Sequence, residues 1–312
     1  METAACRLLC RLLQRAAPGA KFGARFRPAE SLAADEAESR GMKLSVTSWN
    51  INSVRLRIDH VARHIAEAQP DVICLQETKC PNDRFPLKAL KALGYEHIAF
   101  HGQKGYHGVA TLSRLPFSTT ESMSFCGKDD ARHLAVTFGP GAGAASGITV
   151  HNYYVPAGGD IPDPDLNPRF AHKLAFLDEL LQWSDRAKPT AAPSILVGDL
   201  NIAPYESDVW NHKALLNVVS HTPIETTRME EWRQAAGYVD AIRHLTPVPE
   251  PVFTWWSYRS PDWAAANKGR RLDHVWLAPS LVPTLKEASI GKAARGWERP
   301  SDHAPVTVTL EL

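Results

Sequence analysis

The sequence predicts an α/β fold: a four-layer α/β sandwich in which two mixed β-sheets pack face to face, with helices on the outer faces. Two observations lead there. The strand candidates are short apolar runs without long polar–apolar alternation, as expected of sheets covered on both faces. Both halves of the chain also mix strands with amphipathic helices, and no linker-like stretch interrupts residues 42–312.

In chain order, Leu44–Asn50 is the first strand and Ile58–Ala68 a helix with Ile58, Val61, Ala62 and Ile65 on one face. Pro70 breaks that helix, and Asp71–Leu75 follows as a buried strand. Gly108–Leu112, His133–Phe138 and Ile148–Val155 are strands, with the Gly/Ala-rich stretch Gly139–Gly147 as a hairpin loop. Phe170–Trp183 is an amphipathic helix, Ile195–Val197 a strand and Glu230–Ala236 a further helix. Asp273–Leu277 and Ala304–Leu310 are the last strands. Asp71–Glu77 and Ser194–Asn201 both run from an apolar strand to an acidic tip, a likeness too faint to count as a repeat.

At 312 residues, with 44% hydrophobic and 22% charged residues, the composition is that of a globular protein with ample core. The net charge of +1 excludes binding a polyanion through a global basic excess, so local clusters must do it. The five cysteines are odd in number and lack zinc-type spacing, which reads as reduced thiols in a cytosolic setting. No apolar run approaches the roughly 20 residues of a membrane span. Residues 1–41 stand apart as an N-terminal extension, with Leu8, Leu9, Leu12 and Leu13 among Arg7, Arg11 and Arg15. An organelle transit peptide, a disordered tail and a gene start set too early are the three readings. Met42-Lys43-Leu44 directly before the first strand favours the third, leaving 42–312 as the catalytic domain.

Polar groups sit where apolar runs end: Asn50 and Asn52, Glu77, Asp199 and Asn201, and Asp302 with His303. Four such sites predict one polar cleft, and carboxylates, amides and a histidine together suit a hard divalent cation and a phosphate ester. Glu77 is either the partner of Lys79 or a Mg²⁺ ligand, with Asp302 as second carboxylate and Asn50 and Asn52 holding the water shell. Asn50 alone would also suit a turn cap. Asp199 and Asn201 share a face if the chain stays extended, the carboxylate to take a proton and the amide to hold a phosphate oxygen. A helix N-cap is the alternative for Asp199, weakened by Ala203-Pro204.

Asp302 and His303 would point oppositely on a strand, so a loop or a division of labour is required. His303 as an imidazolium would neutralise a phosphate oxygen, with Asp273 as the carboxylate that keeps it charged. Tyr154 is a phenolic donor to phosphate, or packing beside Pro156. Near the C-terminus, Phe253–Arg259 and Lys268–Arg271 interleave aromatic and basic residues, which fits stacking on sugars or bases and pairing with phosphates. A tryptophan-rich core strand beside a solvated basic loop is the alternative. The Gly-bearing loop His101–Gly108 would also suit a nucleic-acid backbone.

These strings, in this order, resemble the exonuclease III family of abasic-site endonucleases, within the endonuclease/exonuclease/phosphatase superfamily. The resemblance covers about residues 42–312 and rests on Trp49-Asn50-Ile51-Asn52, Pro70–Ile73, Leu75–Lys79 and His101–Gly105. It continues through Tyr154-Val155-Pro156, Gly198–Ile202, Arg271-Leu272-Asp273 and Ser301–Pro305. It implies Mg²⁺-dependent (or Mn²⁺-dependent) cleavage of duplex DNA 5′ to abasic sites, with trimming of blocking groups or nucleotides from 3′ ends. By motif, Asn50, Glu77 and Asp302 would surround the metal, with Asn52 close by. Asp199 would be the acid/base, Asn201 would steady the transition state, Tyr154 would touch phosphate and Asp273 would support His303. In a two-metal version Asp199, Asn201 and His303 would also hold a second ion.

Arg55, Lys104, Tyr154, Trp255, Arg270 and Leu272 are the DNA-binding candidates, Trp255 and Leu272 falling where the family lines its abasic-sugar pocket. Arg270 replaces an apolar residue there, Ser53 stands where a glycine is usual, and Ala157–Asp160 lacks a common amide-bearing residue. A monomer working on nucleoid DNA in the cytoplasm is expected, with organellar import through residues 1–41 left open. Two rivals are a superfamily phosphoesterase with a non-DNA substrate and a non-catalytic DNA-binding relative.

Overall fold

The computed structural model describes residues 41–312. The Leu/Arg pattern and the other readings made on residues 1–40 lie outside the described residues. Strand β1 (Lys43–Asn50), helix α1 (Ile58–Ala68) and strand β2 (Val72–Gln76) form a βαβ unit with the two strands parallel. Helix α2 (Leu87–Lys91), β3 (His97–His101), β4 (Val109–Ser113), β5 (Phe117–Glu121) and β6 (His133–Phe138) follow. A second βαβ unit comprises β7 (Thr149–Tyr154), α3 (Pro168–Ala187) and β8 (Ser194–Asp199), again with parallel strands. Next come α4 (His212–Leu215), α5 (Pro223–Ala236), β9 (Val239–Asp240), α6 (Ala241–Leu245) and β10 (Trp255–Trp256). The chain ends with α7 (Trp263–Ala266), β11 (Gly269–Arg270), β12 (Asp273–Leu277), β13 (Leu285–Ile290) and β14 (Val306–Glu311).

One sheet has the order β13-β14-β1-β2-β4-β3, the other β5-β6-β7-β8-β12-β9, and β10 pairs with β11 as a separate hairpin. The faces sort by the two-residue period of a strand. Val46, Cys74, Val150, Val197, Val275 and Val308 point between the sheets into the largest core cluster. Trp49, Ile73 and Leu75 point outward under α1, where Val61 and Ile65 are buried. On the far side Tyr153, Leu196 and Trp276 meet Phe176 and Leu177 of α3 and Trp232 of α5. Helices thus cover the outer faces, and the four-layer sandwich of the sequence reading is found.

All eight interior strands match sequence expectations, while the four edge strands β3, β5, β9 and β13 escaped them. Edge strands lack the continuous apolar signal: β5 is exposed from Ser118 to Glu121, and β3 is half-buried throughout. Helix α5 starts earlier than expected, because Thr222 and Glu225 form a capping box and Pro223 opens the first turn. Among the described residues no helix is long and apolar enough to cross a membrane.

Candidate active site

Both parallel pairs end at the same cleft. The C-terminal ends of β1 and β2 deliver Asn50 and Glu77, and those of β7 and β8 deliver Tyr154 and Asp199. The strands stop there because the chain enters the left-handed region: φ is +49° at Glu77, +47° at Asn52 and +56° at Asn201. Such non-glycine positions carry a backbone cost that surrounding contacts must outweigh, and here they gather at one place. Ser53, where a glycine was expected, also holds φ +87°. Gly198 answers to close approach instead, since a Cβ there would lie 2.0 Å from the Tyr153 carbonyl oxygen.

Asn50, fully buried, ties the two sheets together. Its Nδ2 donates to Glu77 Oε1 (2.9 Å) and to Asp199 Oδ2 (2.8 Å). Asp199 also accepts from Asn201, 3.0 Å from the backbone nitrogen and 3.1 Å from Nδ2. The pair reaches this arrangement through a left-handed turn, not through the extended chain that the i, i+2 spacing suggested. The second hydrogen of Asn201 Nδ2 goes to the Val155 carbonyl (2.9 Å), so the amide orients Asp199. Tyr154 Oη donates to Glu77 Oε1 at 2.8 Å.

Burial pushes the Asp199 carboxyl above the usual carboxylate range, partly countered by the nearby His303. His303 Nε2 stands 3.7 Å from Asp199 Oδ2, and His303 Nδ1 bonds Asp273 Oδ2 at 2.8 Å. Burial disfavours the imidazolium, yet Asp273 and Asp199 outweigh it and hold His303 well above the ordinary histidine range. Thr254 fixes Asp273: its hydroxyl donates to Asp273 Oδ2 (2.6 Å) and accepts from the Leu272 and Asp273 amides. For Tyr154, burial and then Glu77 and Asp199 push the phenol well up, so it stays a donor.

Asp302 faces elsewhere, as adjacency to His303 demanded. It accepts from Trp255 Nε1 (2.9 Å) and Asn52 Nδ2 (3.3 Å). Lys79 Nζ lies 2.7 Å from Glu77 Oε2 and 2.7 Å from Asn52 Oδ1. The Glu77–Lys79 ion pair is therefore real, and it does not remove Glu77 from the cleft. Burial raises the Glu77 carboxyl, but Lys79 and the hydrogen bonds from Asn50 and Tyr154 hold it below the usual range. Among the described residues, Asp199, Asp273 and His303 are the one group of three ionisable metal-type ligands within 4.8 Å of one another.

Glu77, Asn201, Asp302 and His303 line one cavity of about 790 Å³, and Trp255, Arg270 and Leu272 line it too. Arg55 and Lys104 are exposed on loops and are not among its lining residues. Sequence reasoning missed several supports. Ser301 Oγ donates to the Asn50 carbonyl at 2.6 Å, and Arg132 lies 5.0 Å from the Tyr154 ring centre. Lys173, fully buried, donates to Glu225 Oε1 (2.5 Å), the Asn201 carbonyl (2.8 Å) and the Ala157 carbonyl (3.3 Å). A lysine on the apolar face of α3, between Phe170 and Phe176, was the legible signal for it.

Comparison with known proteins identifies the relatives of this fold. Residues 47–303 match the Endonuclease/Exonuclease/phosphatase family. An exodeoxyribonuclease III from Haemophilus influenzae is 31% identical over 272 residues, covering 83% of this chain and 97% of that protein. An AP endonuclease from Archaeoglobus fulgidus superposes with a TM-score of 0.78 at 28% identity, covering 86% of this chain and 100% of the other. A 3′ phosphatase from Neisseria, solved bound to a product DNA hairpin, gives 0.77 at 29% identity with the same coverage.

Proposed function

The chain belongs to the endonuclease/exonuclease/phosphatase family, and from that premise we propose a DNA-repair nuclease of the exonuclease III type. It hydrolyses phosphodiester bonds 5′ to abasic sites in duplex DNA and removes nucleotides or blocking groups from 3′ ends. It acts as a monomer on nucleoid DNA in the cytoplasm. The observation that carries the reading is the meeting of four strand tips from two sheets around Asp199, with a charged His303–Asp273 pair beside it.

The donor set fits a hard divalent cation. Glu77, Asp302, Asn50 and Asn52 offer carboxylate and amide oxygens, and Glu77 Oε2 and Asn52 Oδ1 already face one positive charge, the Lys79 ammonium. Mg²⁺, or Mn²⁺ in its place, would polarise the phosphate and stabilise its developing negative charge. Asp199, Asn201 and His303 are the residues to hold a second ion if two are used. His303 suits that less, because Asp273 and Asp199 keep it as an imidazolium, whose Nε2 carries a proton and has no lone pair to give.

The remaining work falls to the chain. Asp199, aimed by Asn50 and Asn201, takes the proton of the attacking water. His303, kept cationic by Asp273, neutralises a non-bridging phosphate oxygen. Tyr154, held protonated, donates to Glu77 in this structure and would turn its one hydroxyl hydrogen to the phosphate when DNA is bound. Phosphodiesters hydrolyse so slowly unaided that these terms must together remove well over about 10 kcal/mol of barrier.

A labelled duplex with one abasic site tests the proposal. With Mg²⁺ it should yield a single incision product followed by 3′ trimming, and EDTA should stop both. Asp199→Ala should abolish cleavage with melting and DNA affinity near wild type. Residual activity above a few per cent would remove Asp199 from its role.

A further inference from the structure

Two adjacent arginines have opposite surroundings. Arg271 is fully buried and bonds Asp208 Oδ1 (2.7 Å), Asp208 Oδ2 (2.9 Å) and Asp240 Oδ2 (2.6 Å). Its charge is spent on structure. Arg270 has no carboxylate partner among the described residues. Its Nη1 donates to two neutral acceptors, the Val219 carbonyl (3.0 Å) and Ser220 Oγ (2.8 Å), and its guanidinium lies 5.2 Å from the Trp255 ring centre. Glu225, whose charge reaches Arg270, is already committed to Lys173 at 2.5 Å and to the Ser220 amide. Arg270 Nε and Nη2 have no hydrogen-bond partner among the described residues, and the side chain lines the cavity that contains Asn201 and His303. Lys268, 4.8 Å from the Trp210 ring centre, adds a second cation to the same cavity wall.

A guanidinium fixed on an aromatic face with open N–H groups is built to accept a carboxylate or phosphate through paired hydrogen bonds. A neutral sugar fragment would cover those groups without satisfying them, which costs binding. We infer that Arg270 forms an anion subsite beyond the scissile phosphate, selecting 3′ fragments that carry their own negative charge over neutral ones. This rests on the nuclease reading above. The chemistry is unchanged: water adds to phosphorus, its proton passes to Asp199, and the P–O3′ bond breaks. The 3′ oxygen leaves with the bonding electron pair and takes a proton from solvent water to become the 3′-hydroxyl, and the fragment departs with the phosphate.

Three duplexes that differ only at the 3′ end test the inference. One ends in a phosphoglycolate, one in the 2-hydroxyethyl phosphodiester of equal length without the carboxylate, and one in that ester bearing a terminal phosphate. Wild type should process both charged ends faster than the neutral end. In Arg270→Leu the charged-to-neutral ratio of kcat/KM should fall about 10- to 100-fold, the range of a charge-assisted hydrogen bond. Arg270→Lys should fall between, since it keeps the charge and loses the planar fork. Loss for one anion alone would identify which one the subsite reads.

Thermal melting of each variant separates selectivity from misfolding, and the ratio cancels losses common to all substrates. An unchanged ratio in Arg270→Leu, or a wild type that prefers the neutral end, overturns the subsite while leaving the nuclease reading standing. A wild type that cleaves neither these ends nor the abasic duplex overturns both.

Discussion

Replacing Lys173 by methionine tests how the fold supports the chemistry. The ammonium is fully buried, and its three acceptors are Glu225, the Asn201 carbonyl and the Ala157 carbonyl. Methionine fills similar space but leaves the Glu225 charge in the interior with only the Ser220 amide and the Thr222 amide and hydroxyl. Breaking a buried pair from one side costs about 3–5 kcal/mol. At about 2–4 °C per kcal/mol, melting should drop by roughly 6–20 °C.

Adding Glu225→Gln removes the stranded charge and keeps the amide acceptor, so most of that loss should return. Activity should not return with it. Asn201 would still lack the charge-assisted anchor on its carbonyl, and a bond of that kind corresponds to about 10- to 100-fold in rate if it holds the reacting geometry. The assay is single-turnover incision of an abasic duplex beside thermal melting of both variants, with KM expected to move little. A double variant as unstable as Lys173→Met would refute the electrostatic account. Full kcat in the stable double variant would refute the positioning of Asn201 by Lys173.

Two further outcomes are expected. Lys79→Ala removes the ammonium that lies against Glu77 and Asn52, so half-maximal Mg²⁺ at pH 8 should fall by about five-fold, in line with a partly exposed ion pair; a higher Mg²⁺ requirement would separate Lys79 from the cation's position. His64 is buried against Trp49, and burial lowers it to about 4. Its folded form binds protons less readily than the unfolded chain, so stability is intact above about pH 6.5 and is lost as pH falls toward 4. Urea unfolding should find roughly 2 kcal/mol less stability from this residue at pH 5 than at pH 7.5, and His64→Gln should flatten that slope. An equally steep slope in the variant would assign the acid sensitivity to other groups.

The cleft was legible because its residues sit at the ends of apolar strands. A polar group directly after Val72–Leu75 or Ile195–Val197 has to emerge at a sheet edge, and strand order brings those edges together. Sequence spacing misjudged the route in one place: Asp199 and Asn201 meet through a left-handed turn that no i, i+2 rule describes. Thr254 and Ser301 were invisible because a hydroxyl that fixes a neighbour has no pattern until the neighbour is beside it. The four missed strands were invisible for a different reason, since an edge strand buries too little to require an apolar run.

The sequence by itself determined the eight interior strands of the two sheets, which of their residues face the core and which strand ends carry chemistry, because hydrophobic period and composition act locally. Only the tertiary structure decided further partnerships: Asn50 joining Glu77 to Asp199, Lys173 anchoring the Asn201 carbonyl, and Arg270 without a carboxylate among the described residues beside a fully paired Arg271. Those depend on distances between residues up to 149 positions apart, as for Asn50 and Asp199. Electrostatic and hydrogen-bond energies change over a few ångströms, a scale that linear spacing does not encode.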